Sequence, residues 1–432
     1  MKYQFAGYRF DSERGLEGAA GRVPLRKMDS RLLQLLLEAD GRVVSKDSIV
    51  RSVWDDRPVT DDSIFQAVHR LRIAMPATDG ADIIQTVYGS GVRLGRSVRA
   101  RRAGAVASVR AVTDSDNVRA VASLMSAREL SAGRSPENLL AAVEAAREAL
   151  REDRGFIAAW CALAEFQVFR ATRMAIDPRQ AGVEAVTAAQ EALALDPDCA
   201  PALAVRGWVA ATIERDVAKG MADLDRSIAI DDRYWAARGM RGWALATVGR
   251  LPEAIADIGA ALEWNPRAIW INAIRAQYRF FAGHGDAALA EAREAVRLFP
   301  TIDHAYVVMS MVASGLGLHD EAIAAGRRAR ELAPHTPFEH TALACALARA
   351  GRHKDAAEVI HGIEDTGLPL PGVGLAPAYM AFGQPERAFE LVRRARDAGA
   401  PDFGYAFVDP RLAELRNNPL FTSLRKPRTS AH

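Results

Sequence analysis

The chain has 432 residues, which is more than a single hydrophobic core usually supports, so we expect at least two domains. Apolar residues make up 49% of the sequence and charged residues 25%, a balance that excludes a largely disordered protein. No stretch approaches the roughly 18 uncharged apolar residues that a membrane span requires. The N-terminus also lacks the apolar core of a signal peptide, so we expect a cytoplasmic protein with no membrane partner.

Basic residues are concentrated near the N-terminus. Residues 1–112 contain 19 Lys and Arg against 13 Asp and Glu, whereas the rest of the chain contains 37 against 41. A basic segment is a weak sign of a surface that approaches phosphates. The alternative is that this asymmetry carries no functional meaning.

The first hundred residues predict a small antiparallel sheet, three helices and a hairpin. Apolar residues alternate through 3–10, and a leucine-rich helical stretch covers 32–37. Ser45 is the expected N-cap of a second, short helix. A third helix is predicted over about 60–75, where Pro76 ends it. Two strands joined by a glycine-containing turn are expected over 83–94.

The segment from Leu25 to Leu94 resembles the winged-helix domain of OmpR/PhoB-type response regulators. The matching phrases occur in fixed order at 41–46, 53–54, 68–72 and 86–94. Residues 59–68 resemble more closely the one-component CadC/ToxR/HilA-type branch of these regulators. Because the predicted sheet begins at Tyr3, we expect no receiver domain ahead of this module, so control of its activity should come from elsewhere.

This resemblance implies that the third helix lies in the major groove of double-stranded DNA, where the four base pairs present distinct donor and acceptor patterns. A 3.6-residue period places Ile64, Val68 and Leu71 on the inward face of that helix. By resemblance, Arg70 reaches base edges, and Arg93 with the turn over 88–91 forms a wing near the minor groove or the adjacent backbone. The resemblance also implies phosphate contacts for Trp54, Ser63, His69 and Arg72. The predicted DNA-binding residues are Trp54, Ser63, Gln66, His69, Arg70, Arg72, Thr86, Tyr88 and Arg93.

Several positions depart from the pattern of this family. Many members carry a basic residue where Asp62 stands, His where Ala67 stands, a base-reading Arg where Tyr88 stands and Tyr where Val92 stands. Fewer basic contacts neutralise fewer phosphates, so binding would depend on dimerisation or cooperativity. The departures also keep a second hypothesis open: an interaction scaffold whose winged helix no longer binds DNA.

A 34-residue period is visible beyond a basic, aperiodic linker over 98–116. Glycine, alanine and proline each recur at this spacing, and the unit resembles the tetratricopeptide repeat, a pair of helices with Gly at the turn and Ala at the helix crossing. The three columns are Gly249, Gly283, Gly317 and Gly351; Ala254, Ala288, Ala322 and Ala356; and Pro266, Pro300 and Pro334. We expect seven to eight units.

The repeat resemblance implies a curved superhelix whose inner face comes from the first helix of each unit. The projected register places six side chains on or near this face, and two interpretations stay open. The face is either a groove for a peptide, partner protein or small effector, or ordinary core between repeats. The predicted groove residues are Trp243, Trp270, Gln277, Phe280, Met311 and Phe338.

The sequence therefore predicts a mainly α protein with four parts. A winged helix-turn-helix α+β domain covers 1–97 and the linker 98–116. An α-solenoid of tetratricopeptide repeats with a C-terminal capping helix covers 117–425, and 426–432 form a frayed tail.

The predicted function is sequence-specific regulation of transcription, as an activator by analogy. Promoter DNA and either RNA polymerase or another regulatory protein are the expected partners, and self-association into a homo-oligomer is a further prediction. No nucleophile motif or metal-spaced cluster is visible, so we expect no enzyme, cofactor or metal site.

Overall fold

The structure is a computed structural model of the chain. It describes residues 2–5, 8–11, 15–18, 21–39, 43–54, 59, 61–75, 83–87, 91–95, 101–103, 114–132, 135–173, 176–334, 336–365 and 372–425. Two compact units are present, Met1–Ala105 and Val106–His432. Among the described residues, no helix is both long and apolar enough to cross a membrane.

The first unit combines seven strands with three helices in the order that the sequence predicts for its sheet, helices and hairpin. Its elements are β1 (Lys2–Phe5), β2 (Tyr8–Asp11), β3 (Gly15–Gly18), β4 (Gly21–Val23), α1 (Lys27–Glu38), α2 (Lys46–Trp54), α3 (Asp61–Ala74), β5 (Ile84–Val87), β6 (Gly91–Leu94) and β7 (Arg101–Ala103).

The N-terminal sheet has five antiparallel strands in the order β4-β3-β2-β1-β7. Its outer strand β7 pairs with β1, with Tyr3 opposite Arg102. The sequence predicts no regular structure over 98–116, and β7 differs from that expectation. Three residues are too few for an alternating pattern to stand out, so the pairing depends on the partner strand rather than on a local signal.

The three helices pack as the helical periodicity predicts. Ile64, Val68 and Leu71 on α3 are all buried, and they share a core with the leucines of α1. The Ser45 hydroxyl accepts a hydrogen bond from the Ser48 amide at 3.3 Å, which confirms the N-cap of α2. The predicted C-cap of α1, Gly41, lies outside the described residues.

The hairpin β5–β6 is joined to the segment between α1 and α2. Val44 and Val92 exchange two backbone hydrogen bonds, with N···O distances of 2.8 and 3.0 Å. Gly91 has φ +140°, and a Cβ there would lie 2.0 Å from the Val44 carbonyl oxygen. Only glycine allows this close approach, so Gly91 is required for the hairpin to pack against the backbone at Val44.

The second unit is an array of paired antiparallel helices followed by short helical turns. The helices are α4 (Val118–Ala132), α5 (Pro136–Glu152), α6 (Ile157–Thr172), α7 (Pro178–Leu195), α8 (Ala200–Val209), α9 (Val217–Ile230), α10 (Trp235–Thr247), α11 (Leu251–Trp264), α12 (Ile269–Phe281), α13 (Gly285–Leu298), α14 (Asp303–Gly315), α15 (His319–Leu332), α16 (Pro337–Arg349), α17 (His353–Glu364), α18 (Gly372–Ala381), α19 (Pro385–Asp397) and α20 (Pro419–Ser423). A π-helical turn, Ala210–Glu214, extends α8, and 3-10 turns cover Phe403–Phe407 and Pro410–Asn417.

The pairs α4–α5 to α18–α19 give eight units in the described chain, and the 34-residue period coincides with them. The four predicted turn glycines all lie between the two helices of a unit, with φ between +77° and +88°. The four alanines of the predicted helix crossing are fully buried. These observations confirm tetratricopeptide-type repeats. Arg215 occupies the same register one unit earlier and also has a left-handed backbone, φ +64°.

The C-terminal segment (residues 398–417) runs along the first helices of several units. The predicted closing tail begins within it at Asp409, and the turn over Pro410–Asn417 packs on α18 of the last unit, so capping of the array by this tail stays a prediction. The Trp243 indole in α10 donates to the Pro401 carbonyl at 3.3 Å, and the hydroxyls of Tyr278 and Tyr405 are 2.8 Å apart. The segment is rich in buried aromatic side chains, which gain more from this apolar inner face than from an exposed end.

Candidate nucleic-acid interface and ligand cavity

The outward face of α3 is a row of exposed side chains. Gln66 and His69 are exposed, as the helical period predicts. Phe65 and Ile73 lie beside them and keep 47% and 67% of their surface accessible. Because the opposite face of α3 is locked into the core, this row points away from the domain and is available to a partner.

Arg70 has a structural partner inside the domain. Its Nε and Nη2 atoms donate to the two carboxylate oxygens of Asp29 in α1, at 2.9 and 2.7 Å. The Asp29 side chain is 3% exposed and that of Arg70 is 30% exposed. The hydrogen bonds to Asp29 raise the pKa of the Arg70 guanidinium above its ordinary value. This bidentate pair fastens α3 to α1, and contact between Arg70 and a base stays a prediction.

Arg72 connects α3 to the hairpin. It donates to the Ile84 carbonyl at 2.9 Å and to the Thr86 hydroxyl at 3.0 Å. Thr86 itself is exposed on β5, and Arg93 on β6 donates to the Gln85 side chain at 3.2 Å. The bonds of Arg72 place it with Thr86 at one edge between the helix and the wing, whereas Arg93 pairs with Gln85 and so lies on the opposite face of the hairpin.

The remaining predicted DNA-binding residues are distributed around this edge. Trp54 at the end of α2 and Ser63 in the first turn of α3 are half-buried. Tyr88 falls in the wing turn, outside the described residues. Lys46 at the start of α2 lies with its ammonium 5.5 Å from the centre of the Phe65 ring, a cation–π contact that joins α2 to the outward face of α3.

Four residues of this site, Asp29, Lys46, Phe65 and Ile73, were not singled out from the sequence. The same 3.6-residue period that turns Ile64 inward also turns Phe65 outward, so the signal for Phe65 was present. Asp29 carried no signal, because its pairing with Arg70 joins positions 41 residues apart.

The first unit contains the match to a known family. Residues 20–94 match the model described as "Transcriptional regulatory protein, C terminal". The N-terminal unit thus carries an OmpR/PhoB-type regulatory domain. This regulatory domain includes α1, α2, α3 and the hairpin, and therefore every predicted DNA-binding residue.

The matches to curated relatives each cover less than a quarter of this chain. The transcriptional regulator HilA of Salmonella typhi is 29% identical over 97 residues, which cover 22% of this chain and 18% of HilA. The sensory transduction protein BceR of Bacillus subtilis is 33% identical over 89 residues, which cover 20% of this chain and 38% of BceR. The chain thus spans less than two fifths of either relative.

The repeat array is similar to solved helical-repeat structures. The crystal structure of yeast Tom70 aligns with 72% of this chain and 68% of its own, at a TM-score of 0.43 and 16% identity.

Five of the six predicted groove residues line one cavity of about 360 Å³ inside the second unit, namely Trp243, Trp270, Gln277, Met311 and Phe338. The sixth, Phe280, is outside this cavity. It is buried, and its ring packs so closely on Gly315 that a Cβ there would lie 2.1 Å away. Phe280 also lines a second cavity together with Gly283 and Gly315, so both interpretations of this residue stay open.

The array closes around this cavity through a buried ion cluster. Arg173, directly after α6, pairs with Asp303 at the start of α14 at 2.6 Å and also with Glu339 in α16. Burial raises the pKa of Glu339 to about 7. Burial acts in the same sense on Asp303, but the Arg173 charge together with hydrogen bonds from Glu339 and Arg173 lowers the pKa of Asp303 to about 2. The cluster joins the second helix pair to the sixth and seventh.

Three acidic residues line the cavity, Asp303, Asp402 and Asp409, and none of them was predicted from the sequence. Asp402, in the C-terminal segment, lines the cavity beside Tyr405 and Trp243. Burial raises the pKa of Asp402 to about 6. Within the described parts of the chain, no group of three His, Cys, Asp or Glu side chains is placed to hold a metal ion.

Proposed function

We propose that this chain is a sequence-specific DNA-binding regulator of transcription, and that α3 enters the major groove. The observation that carries the proposal is the exposed row of Phe65, Gln66, His69 and Ile73 on the third helix of an OmpR/PhoB-type domain. A helix fits the width of the major groove, and side chains on its outer face reach the base edges there.

The exposed side chains are suited to reading bases. A glutamine amide can bond in bidentate fashion to the N6 and N7 atoms of adenine, and an apolar ring can contact the thymine methyl group. We therefore assign base contacts first to Gln66 and Phe65. His69, Ser63 and Trp54 are assigned to the phosphate backbone, as the resemblance implies.

The hairpin supplies the second contact in this proposal. Arg72 holds Thr86 near α3, and Arg93 lies on the opposite face of the hairpin, so both faces of the hairpin carry a polar group. We assign Thr86, Tyr88 and Arg93 to the minor groove or the backbone beside it. Arg70 and Arg72 act first as supports of α3, because their guanidinium groups are engaged within the domain.

The finer parts of the function stay predictions. They are an activator role, RNA polymerase or another regulatory protein as a partner, self-association and a cytoplasmic location. HilA is described as a transcriptional regulator, which supports the general role and leaves the direction of regulation open.

A selection experiment on the full-length protein tests the proposal. Random duplexes are enriched for binding at low salt, and affinity for the selected duplex is compared with affinity for an unrelated one. We expect Gln66→Ala to weaken the selected duplex by about ten- to a hundredfold, since a bidentate base contact contributes that much discrimination. Binding to the unrelated duplex, which depends on phosphates, should change little.

The matched control is Gln190→Ala, because Gln190 is an exposed glutamine on α7 in the other unit. It should leave both affinities unchanged. If no sequence is enriched even at low salt, the DNA-binding proposal fails and the scaffold hypothesis takes its place. If Gln66→Ala affects both duplexes equally, Gln66 does not read a base.

A further inference from the structure

The cavity of the repeat array has room for a small molecule and none for a protein segment. The C-terminal segment already covers the inner face, where it is held by the Trp243 bond to Pro401 and the Tyr278 bond to Tyr405. The remaining space of about 360 Å³ lies within the range of pockets that bind small ligands. A peptide would first have to displace the C-terminal segment of the chain itself.

Aromatic rings from separate helices form one wall of the cavity. The Trp208 and Trp243 rings are 5.8 Å apart at 79°, and the Trp243 and Tyr405 rings are 5.6 Å apart. Phe281 lies 5.5 Å from Tyr405. The faces of such rings carry partial negative charge, and they attract organic cations most strongly where water is excluded.

The charges around the cavity leave one carboxylate unmatched. Its three arginines each have an acidic partner: Arg173 with Asp303 at 2.6 Å, Arg394 with Glu390 at 2.9 Å and Arg411 with Asp409 at 2.7 Å. His304 lies in another part of the wall, stacked 6.1 Å from Phe338. Among the described residues, no cation pairs with the Asp402 carboxylate, so the cavity presents an acid without a counter-charge.

We propose that this cavity binds a small organic cation, namely a protonated amine or quaternary ammonium group on an apolar body, with Asp402 as its counter-ion. The ammonium group lies between Asp402 and the rings of Trp243 and Tyr405, and the apolar body fills the space towards Trp270 and Met311. A half-buried acid without a counter-charge weakens the fold, so a bound cation compensates a cost that is already present. This inference rests on the proposed function in one respect: it treats the bound cation as the signal that the repeats of a regulator receive.

Three probes of similar size separate charge from shape. They are 2-phenylethylamine, a cation at neutral pH; 2-phenylethanol, its neutral counterpart; and 3-phenylpropanoate, an anion. Binding to the full-length protein without DNA is followed by calorimetry and by tryptophan fluorescence. We expect the amine to bind at least about tenfold more tightly than the alcohol, and the anion more weakly than both.

Asp402→Asn keeps the shape of the side chain and removes its charge. We expect it to abolish the preference for the amine over the alcohol. Asp286→Asn alters an exposed aspartate on α13, away from the cavity, and should leave the preference intact. Thermal unfolding of both variants checks the fold, and Asp402→Asn should not lower the melting temperature because it removes a half-buried charge that has no counter-charge.

The pH dependence of amine binding gives a second readout. As the pH falls through about 6, Asp402 gains a proton and amine binding should weaken. His304 also lines the cavity, and a positive charge on it would act in the same direction. A weakening that persists in Asp402→Asn would point to His304 and contradict the role of Asp402.

The proposal is overturned if the three probes bind with equal affinity, if none of them binds, or if Asp402→Asn retains the preference for the amine. None of these outcomes bears on DNA binding by the first unit, since the probes are measured in its absence. A failure of the DNA selection would likewise leave the cavity result unaffected.

Discussion

The side chains of Arg70 and Arg72 bear on DNA recognition by holding other elements in place. Arg70 binds the buried carboxylate of Asp29, and Arg72 binds the hairpin through Ile84 and Thr86. Both arginines lie next to the exposed row of α3. If substitution of either arginine lowered the affinity for DNA, the cause would therefore be ambiguous. The loss could arise from a lost contact or from a displaced helix.

Arg70→Ala should lower the free energy of unfolding by roughly 1–3 kcal/mol, because it leaves the Asp29 carboxylate buried without a partner while Arg70 itself is partly screened by solvent. Urea unfolding of the full-length protein measures this. The double variant Asp29→Ala, Arg70→Ala should recover most of the loss, since no buried charge remains. No recovery in the double variant would contradict the structural role of the pair.

The same double variant separates the two roles of Arg70. If its stability returns and its affinity for the selected duplex is unchanged, Arg70 acts only as a support. If affinity stays low after stability returns, the predicted base contact is present as well.

At the scale of elements, the turn glycines set the geometry of each helix pair. Gly249, Gly283, Gly317 and Gly351 all have positive φ, and Arg215 adopts the same conformation without being glycine. The Arg215 guanidinium stacks on the Phe403 ring at 4.4 Å and donates to the Arg396 carbonyl at 2.6 Å. These contacts with the end of the chain offset the strain of its left-handed backbone.

Two glycine-to-alanine substitutions test this interpretation of the turns. At both positions the added Cβ would lie in open space. Gly283 has φ +83°, whereas Gly259 lies inside α11, and a Cβ at either site meets nothing within 4 Å. Gly283→Ala should destabilise by about 1 kcal/mol through backbone strain. Gly259→Ala should stabilise by about 0.5–1 kcal/mol through helix propensity. Equal shifts in the urea midpoint would show that the turn conformation does not matter.

At the scale of the whole repeat array, the Arg173 cluster and the C-terminal segment enclose the cavity together. Arg173 joins parts of the chain that are 130 and 166 residues apart, and its side chain is only 8% exposed. Neighbouring contacts alone hold most repeat arrays together, so a long-range ion cluster adds a constraint that adjacent repeats do not supply.

Arg173→Met should lower the free energy of unfolding by roughly 3–5 kcal/mol, because it leaves Asp303 and Glu339 buried without a cation. The control is Arg250→Met, which removes a pair with Glu253 that is exposed on both sides, and it should have no measurable effect. Tryptophan fluorescence during urea unfolding reports on both variants. A loss no larger than that of the control would mean that the cluster does not close the array.

The sequence by itself determined the features that repeat along the chain. The 3.6-residue period of α3 predicted its buried and exposed faces, and the 34-residue period predicted the helix pairs with their turn glycines and crossing alanines. Such patterns are visible because each residue contacts neighbours three, four or thirty-four positions away.

The tertiary structure alone decided the pairing of Arg70 with Asp29, the Arg173 cluster, the course of the C-terminal segment and the place of Asp402 in the cavity. It also placed the sulfur atoms of Cys161 and Cys199 at 3.3 Å, although the two residues are 38 positions apart. Each of these contacts joins distant residues once and leaves no periodic trace. Which residues meet in these contacts depends on the surfaces that the folded array brings together. A single sequence contains no local signal of this pairing.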